Sequence, residues 1–180
     1  MTNMQNKILL LVGPKGSGKS YIGRVIAATT GISYLRIEAI WQELKLRRTD
    51  FLSPDYIREG RALTLQALRT ALQQGTVCIE ATGVADDWND YLDGLQRLAP
   101  LVFVRVAAPL EACRARASMR DQSMQVPIEP ELFESINRQA ADVQLDWATT
   151  LMNEPFLSEN DLLTQLLPVL RQHGCLPHEN

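Results

Sequence analysis

The chain has 180 residues, 46% hydrophobic and 22% charged, which is ordinary globular composition with enough apolar matter for a sizeable core. A net charge of −3 gives no general pull towards nucleic acid or anionic lipid, and no apolar run nears the roughly 20 residues of a membrane span. The three cysteines, Cys78, Cys113 and Cys175, lack metal-ligand spacing and read as free thiols of a reducing compartment, so the expectation is one cytoplasmic domain without a signal peptide.

After a polar lead, a strand is expected over 7–12, apolar from Ile8 on, the pattern of a strand covered on both faces. Gly13-Pro14-Lys15-Gly16-Ser17-Gly18-Lys19-Ser20 follows and fits G-x-x-x-x-G-K-[ST] in full. Ile22, Val25 and Ile26 then mark a helix that runs to residue 29, with Gly31 suited to its end. This strand, glycine-rich loop and helix form a phosphate-binding P-loop. Its glycines let backbone N–H groups turn inward as an anion nest, and the helix adds the positive end of its dipole. Gly13 through Ser20, with Tyr21 beside them, are the expected contacts to ATP. Lys19 is expected to bridge the terminal phosphates and Ser20 to hold Mg2+.

A second strand is expected over 33–37, with Glu38 at its carboxyl end, where ligands of open α/β sheets lie. Glu38 is the candidate to orient or deprotonate an acceptor hydroxyl. A short helix over 39–46 is followed by a polar break. Ser53-Pro54-Asp55 then opens a helix to residue 73, with Ile57, Leu65, Leu68 and Leu72 as its apolar stripe. Arg58 and Arg61 share one side of it, and Arg58 is the candidate grip for an anionic acceptor.

The third strand, 76–80, ends on Glu80, placed like a Walker B acid that holds a magnesium-bound water. Gly83 follows it as a candidate substrate contact, and a helix containing Trp88 and Tyr91 runs to residue 98. Strand 101–106 leads into a helix bearing Cys113, Arg114, Arg116 and Arg120. Arg116 and Arg120 share a side: Arg120 is the candidate finger on the moving phosphate and Arg116 the candidate stack on adenine, while Arg114 points to solvent. Residues 119–130 read as a lid. A helix over 131–146 carries Arg138 among apolar positions, and a short fifth strand is expected over 149–152. Ser158 caps a last helix that Pro168 should kink or end, and the tail after residue 172, with His173 and His178, reads as disordered. The three tryptophans read as packing residues, with Trp88 nearest to an acceptor.

Strands alternating with helices predict a three-layer α/β/α fold with a five-stranded parallel sheet, carrying a substrate-holding insert over 39–74 and the lid. The chain resembles the shikimate kinase group of P-loop kinases. The likeness rests on GPKGSGKSYIGRVIA, the acid at Glu38, Tyr56-Ile57-Arg58, Glu80-Ala81-Thr82-Gly83, and the arginines from Arg114 to Arg120 with Arg138 after them. It implies ATP, Mg2+ and transfer of the γ-phosphoryl group to a small hydroxyl compound, an anionic one if Arg58 and Arg138 hold it. Only Glu38 is acidic in Arg36-Ile37-Glu38, where that group has two acids, and Gly83-Val84-Ala85 has one glycine in place of three. These differences argue against shikimate itself. A nucleotide kinase and a nucleotide-binding switch or ATPase without an acceptor stay open, and the absence of a wide basic track argues against a nucleic-acid substrate.

Overall fold

The computed structural model describes residues 5–51, 53–119 and 129–177. The elements are β1 (Ile8–Val12), α1 (Lys19–Thr30), β2 (Ser33–Tyr34), α2 (Ile37–Arg47), α3 (Pro54–Leu72), β3 (Val77–Ala81), α4 (Trp88–Gln96), β4 (Leu101–Ala107), α5 (Leu110–Ser118), α6 (Pro130–Asp142), β5 (Trp147–Met152) and α7 (Glu159–Gln172). The strands form one parallel sheet in the order β2-β3-β1-β4-β5. This is the three-layer α/β/α P-loop fold.

β1 lies at the centre because its residues can be buried on both faces. Side chains alternate along a strand. Leu9 and Leu11 pack with Ile22 and Ile26 of α1 and Leu162, Leu166 and Leu170 of α7. Ile8, Leu10 and Val12 pack on the other side with Leu68 of α3 and Tyr91 and Leu95 of α4. Every β1 residue is fully buried. The Ser53 hydroxyl accepts from the Tyr56 N–H at 3.1 Å and so caps α3. Ser158 does the same for α7, accepting from the Asp161 N–H at 3.2 Å.

Several expected boundaries move. β2 stops at Tyr34, because only Ser33 and Tyr34 find partners on β3 at this sheet edge. Glu38 consequently sits in the first turn of α2, not at a strand end. α6 ends at Asp142, where Val143 turns extended, and β5 begins early, at Trp147. α7 continues through Pro168 to Gln172. Pro168 and Thr164, whose carbonyl loses its helical partner, are both exposed, so water can satisfy that oxygen while Leu162, Leu166 and Leu170 hold the inner face. The tail up to Pro177 is also ordered: the Cys175 N–H donates to the Leu170 carbonyl at 2.7 Å and its side chain is 5% exposed. His178 lies outside the described residues.

All three cysteines are free and buried, and burial pushes the Cys78 thiol well up and that of Cys175 to about 11. Among the described residues no helix is long and apolar enough to cross a membrane.

Candidate active site

The P-loop joins the buried end of β1 to α1. Gly18 is the N-cap of α1 in the left-handed region (φ 101°), and a Cβ there would fall 2.1 Å from Asn153 Nδ2. The first turn of α1 has no capping side chain and no acid. No acid of the helix's own first turn therefore offsets its positive end, which faces the loop. Lys19 is only 7% exposed, and its ammonium donates to the carbonyls of Gly13 at 2.8 Å and Pro14 at 2.7 Å.

Two buried asparagines brace the loop. Asn137 of α6 accepts from the Lys15 N–H at 2.8 Å and donates to the Lys15 carbonyl at 2.9 Å. Asn153, just after β5, donates to the Ser17 carbonyl at 2.6 Å and accepts from the Leu157 N–H at 2.9 Å. An asparagine supplies both donor and acceptor, so each can tie two backbone groups at once. Neither residue stands out in the sequence. Each finds its P-loop partner across more than a hundred positions of sequence, and no local pattern announces that.

Glu80 closes the donor end from β3, opposite Leu11 of β1. The Ser20 hydroxyl lies 2.9 and 3.0 Å from its two carboxylate oxygens, and the Tyr34 hydroxyl donates to it as well. Burial and the Glu80 charge push the Tyr34 phenol far above its usual range, so it is a permanent donor. Tyr34 reaches Glu80 by crossing α1 at Gly23, where a Cβ would fall 2.5 Å from its ring. This explains the small residue in Ile22-Gly23-Arg24. A serine hydroxyl beside one carboxylate, at a phosphate nest, is a hard-oxygen donor set that suits Mg2+, an ion that takes few protein ligands and completes its shell with phosphate and water. Among the described residues no cluster of three or more His, Cys, Asp or Glu offers a rival metal site.

A cleft of about 650 Å³ runs from Lys15, Gly16, Gly18, Lys19 and Ser20 past Glu80. Gly83, beside Val12, lines it too, and Glu38, Trp41, Arg61, Trp88 and Tyr91 line its far end. Arg61 donates to Asp87 through Nε at 2.8 Å and Nη2 at 2.7 Å, and its guanidinium lies 4.0 Å from the Tyr91 ring centroid. Hydrogen bonding to Arg61 holds the Asp87 carboxyl below the usual carboxylate range. Burial raises the Tyr91 phenol to about 12 against the opposing pull of Arg61.

The other arginines fall differently from expectation. Arg58 is solvent-facing and paired with Asp55 at 2.7 Å, and Arg61 takes the cleft position on α3. Arg138 is also exposed, paired with Glu134 at 3.1 Å. Arg114, expected to face solvent, lines the cleft and pairs with Glu134. Arg116 donates to the Asn153 carbonyl at 2.7 Å and to Glu154 at 2.5 Å, and stacks over Phe156, whose ring centroid lies 4.7 Å from that of Tyr21. Arg120 and most of the expected lid lie outside the described residues. Trp41, read as packing, joins Trp88 in the cleft wall, whereas Trp147 does not line it.

Comparison with known proteins agrees with this fold. A family model described as AAA, ATPase family associated with various cellular activities, matches residues 9–79, from β1 to β3. A sugar kinase from a Janibacter species superposes with a TM-score of 0.66 at 17% identity, covering 96% of this chain and 99% of its own. A gluconokinase from Sinorhizobium meliloti gives 0.65 at 17% identity, covering 95% and 94%. A shikimate kinase from Acinetobacter baumannii in complex with shikimate gives 0.63 at 18%, covering 94% and 96%. At these identities the likeness is one of fold. No curated protein matches the sequence.

Proposed function

We propose that this chain is an ATP-dependent phosphotransferase that moves the γ-phosphoryl group of ATP to a small hydroxyl-bearing molecule. The observation that carries the reading is that one cleft is lined both by the P-loop with Glu80 and by Glu38, Trp41, Arg61 and Trp88 of the helices beyond it. An ATPase that hands phosphate to water needs the first part and has no use for the second.

In this reading the P-loop backbone and the start of α1 bind the phosphates. Lys19 leaves the Gly13 and Pro14 carbonyls for the terminal phosphates and offsets their charge as it shifts in transfer. Ser20 and Glu80 hold Mg2+, which would supply charge neutralisation on the phosphate oxygens. Arg116 and Phe156, beside Tyr21, flank the adenine. Glu38 orients the acceptor hydroxyl and takes its proton as the oxygen bonds to the γ-phosphorus and the bond to the bridging oxygen of ADP breaks. Arg114, which lines the cleft, takes the moving phosphate in this reading.

The AAA match favours a second reading, an ATPase without an acceptor. Release of ADP from ATP and Mg2+, measured with and without pooled hydroxyl metabolites and nucleoside monophosphates, separates the two. Stimulation by a hydroxyl pool is expected. Equal release with and without every pool would select the ATPase, and stimulation by the monophosphate pool alone would select a nucleotide kinase.

A further inference from the structure

The far end of the cleft is short of usable positive charge. Among the described residues Arg61 is its one cation, and Asp87 occupies two of its donors in a fork-shaped pair. The face of that guanidinium is also covered, by Tyr91 at 4.0 Å and Trp41 at 5.8 Å from the ring centroids. Glu38 adds a carboxylate to the same wall. A carboxylate or phosphate acceptor entering here would meet negative charge and a cation that already has a partner. The wall is otherwise flat and apolar: Trp41 from α2, Trp88 and Tyr91 from α4, with Ile37 and Ala85 among its lining. The Trp41 ring is held against α3 at Gly60, where a Cβ would fall 2.4 Å from it. The two arginines expected to grip an acid, Arg58 and Arg138, point to solvent with partners of their own.

We infer that the acceptor is an uncharged hydroxyl compound carrying a planar ring, with the ring held against Trp41 and Trp88 and the Arg61–Asp87 pair excluding anions. Aromatic rings supply large, rigid contact area, and stacking tolerates different flat partners. The chemistry is shared by nucleosides and by aromatic alcohols. The inference rests on the kinase reading, yet binding tests it separately from turnover.

The test measures quenching of tryptophan emission, in wild type and in Trp41→Phe and Trp88→Phe, on adding nucleosides, aromatic alcohols, shikimate or gluconate to protein loaded with a non-hydrolysable ATP analogue and Mg2+. ADP release from ATP is followed in parallel. Saturable quenching by nucleosides or aromatic alcohols is expected, reduced in at least one variant, with the carboxylates binding at least about tenfold more weakly; the arm that quenches names the source of the ring. Asp87→Asn, which releases Arg61, should improve carboxylate binding several-fold relative to the uncharged compounds. Quenching without ADP release would support the inference while counting against the kinase reading. Turnover of a carboxylate with no quenching by either uncharged class would overturn the inference while supporting a kinase. Equal affinity for carboxylates and uncharged rings in wild type, or no binding of uncharged rings at all, would also overturn it.

Discussion

The two ends of the cleft are built on opposite principles. The donor end is made of backbone, held from outside by buried amides: Asn137 on Lys15 and Asn153 on Ser17. The acceptor end is made of side chains from separate helices, mainly rings, with one arginine fixed by Asp87. Phosphate is the same in every nucleotide and can be met by a fixed array of N–H groups. An acceptor differs between enzymes and must be met by side chains, so this half can change while the other stays. The difference also separates what each end should lose on substitution.

The largest expected effect is at the acceptor end. Glu38→Gln keeps shape and removes the base, and is expected to lower kcat about 10²–10⁴-fold with ATP affinity unchanged, as steady-state kinetics and ATP titration would show. An unchanged kcat would remove Glu38 from the chemistry. At the donor end Lys19→Ala should lower kcat about 10²–10³-fold and also weaken ATP binding, measured by calorimetry. Those two profiles, one in rate alone and one in rate and nucleotide affinity, are the comparison in kinetic form.

Smaller effects probe the supports. Asn137→Ala removes a buried amide that bonds both the N–H and the carbonyl of Lys15, so a loss of about 1–3 kcal/mol in urea unfolding is expected, with weaker ATP binding. Tyr34→Phe removes a hydroxyl from Glu80 and should cost about 1 kcal/mol, seen as a several-fold higher Mg2+ requirement for ATP binding with acceptor KM unchanged. A changed acceptor KM instead would assign Tyr34 to the other end. Arg58→Ala combined with Arg138→Ala should stay within about 0.5 kcal/mol of wild type in unfolding and leave KM alone, since both pairs are exposed. A large rise in KM would return the acceptor grip to those arginines.

The donor end was legible in the sequence because its signal is local. An apolar strand, a complete glycine motif and a helix follow one another without interruption, and Glu80 closes the adjacent strand. The acceptor end depends on which face of each helix turns inward, and that is decided by packing. On α3 the buried positions are Tyr56, Gly60, Thr64 and Leu68, spaced by four. Gly60 and Thr64 are not apolar enough to mark that stripe, so the sequence points to Ile57, Leu65, Leu68 and Leu72 in its place. The rotation turns Arg58 to solvent and Arg61 to the cleft. β-rich residues continue to Ile37 and point to a strand ending at Glu38, but β2 leaves its neighbour after Tyr34 and α2 begins at Ile37, while β3 runs on to Ala81. The ring-lined wall is hidden for a related reason: Trp41 and Trp88 are far apart in sequence and share a wall only because α2 and α4 both pack on α3.

The central claim is that phosphate leaves the donor end for a hydroxyl held at the acceptor end and not for water. Transfer of label from γ-³²P-ATP tests this directly, with Mg2+ and a pool of uncharged ring-bearing alcohols. The account predicts label in an organic phosphate, formed in step with ADP and abolished by Glu38→Gln. Label appearing only as inorganic phosphate, at a rate indifferent to the pool, would contradict it.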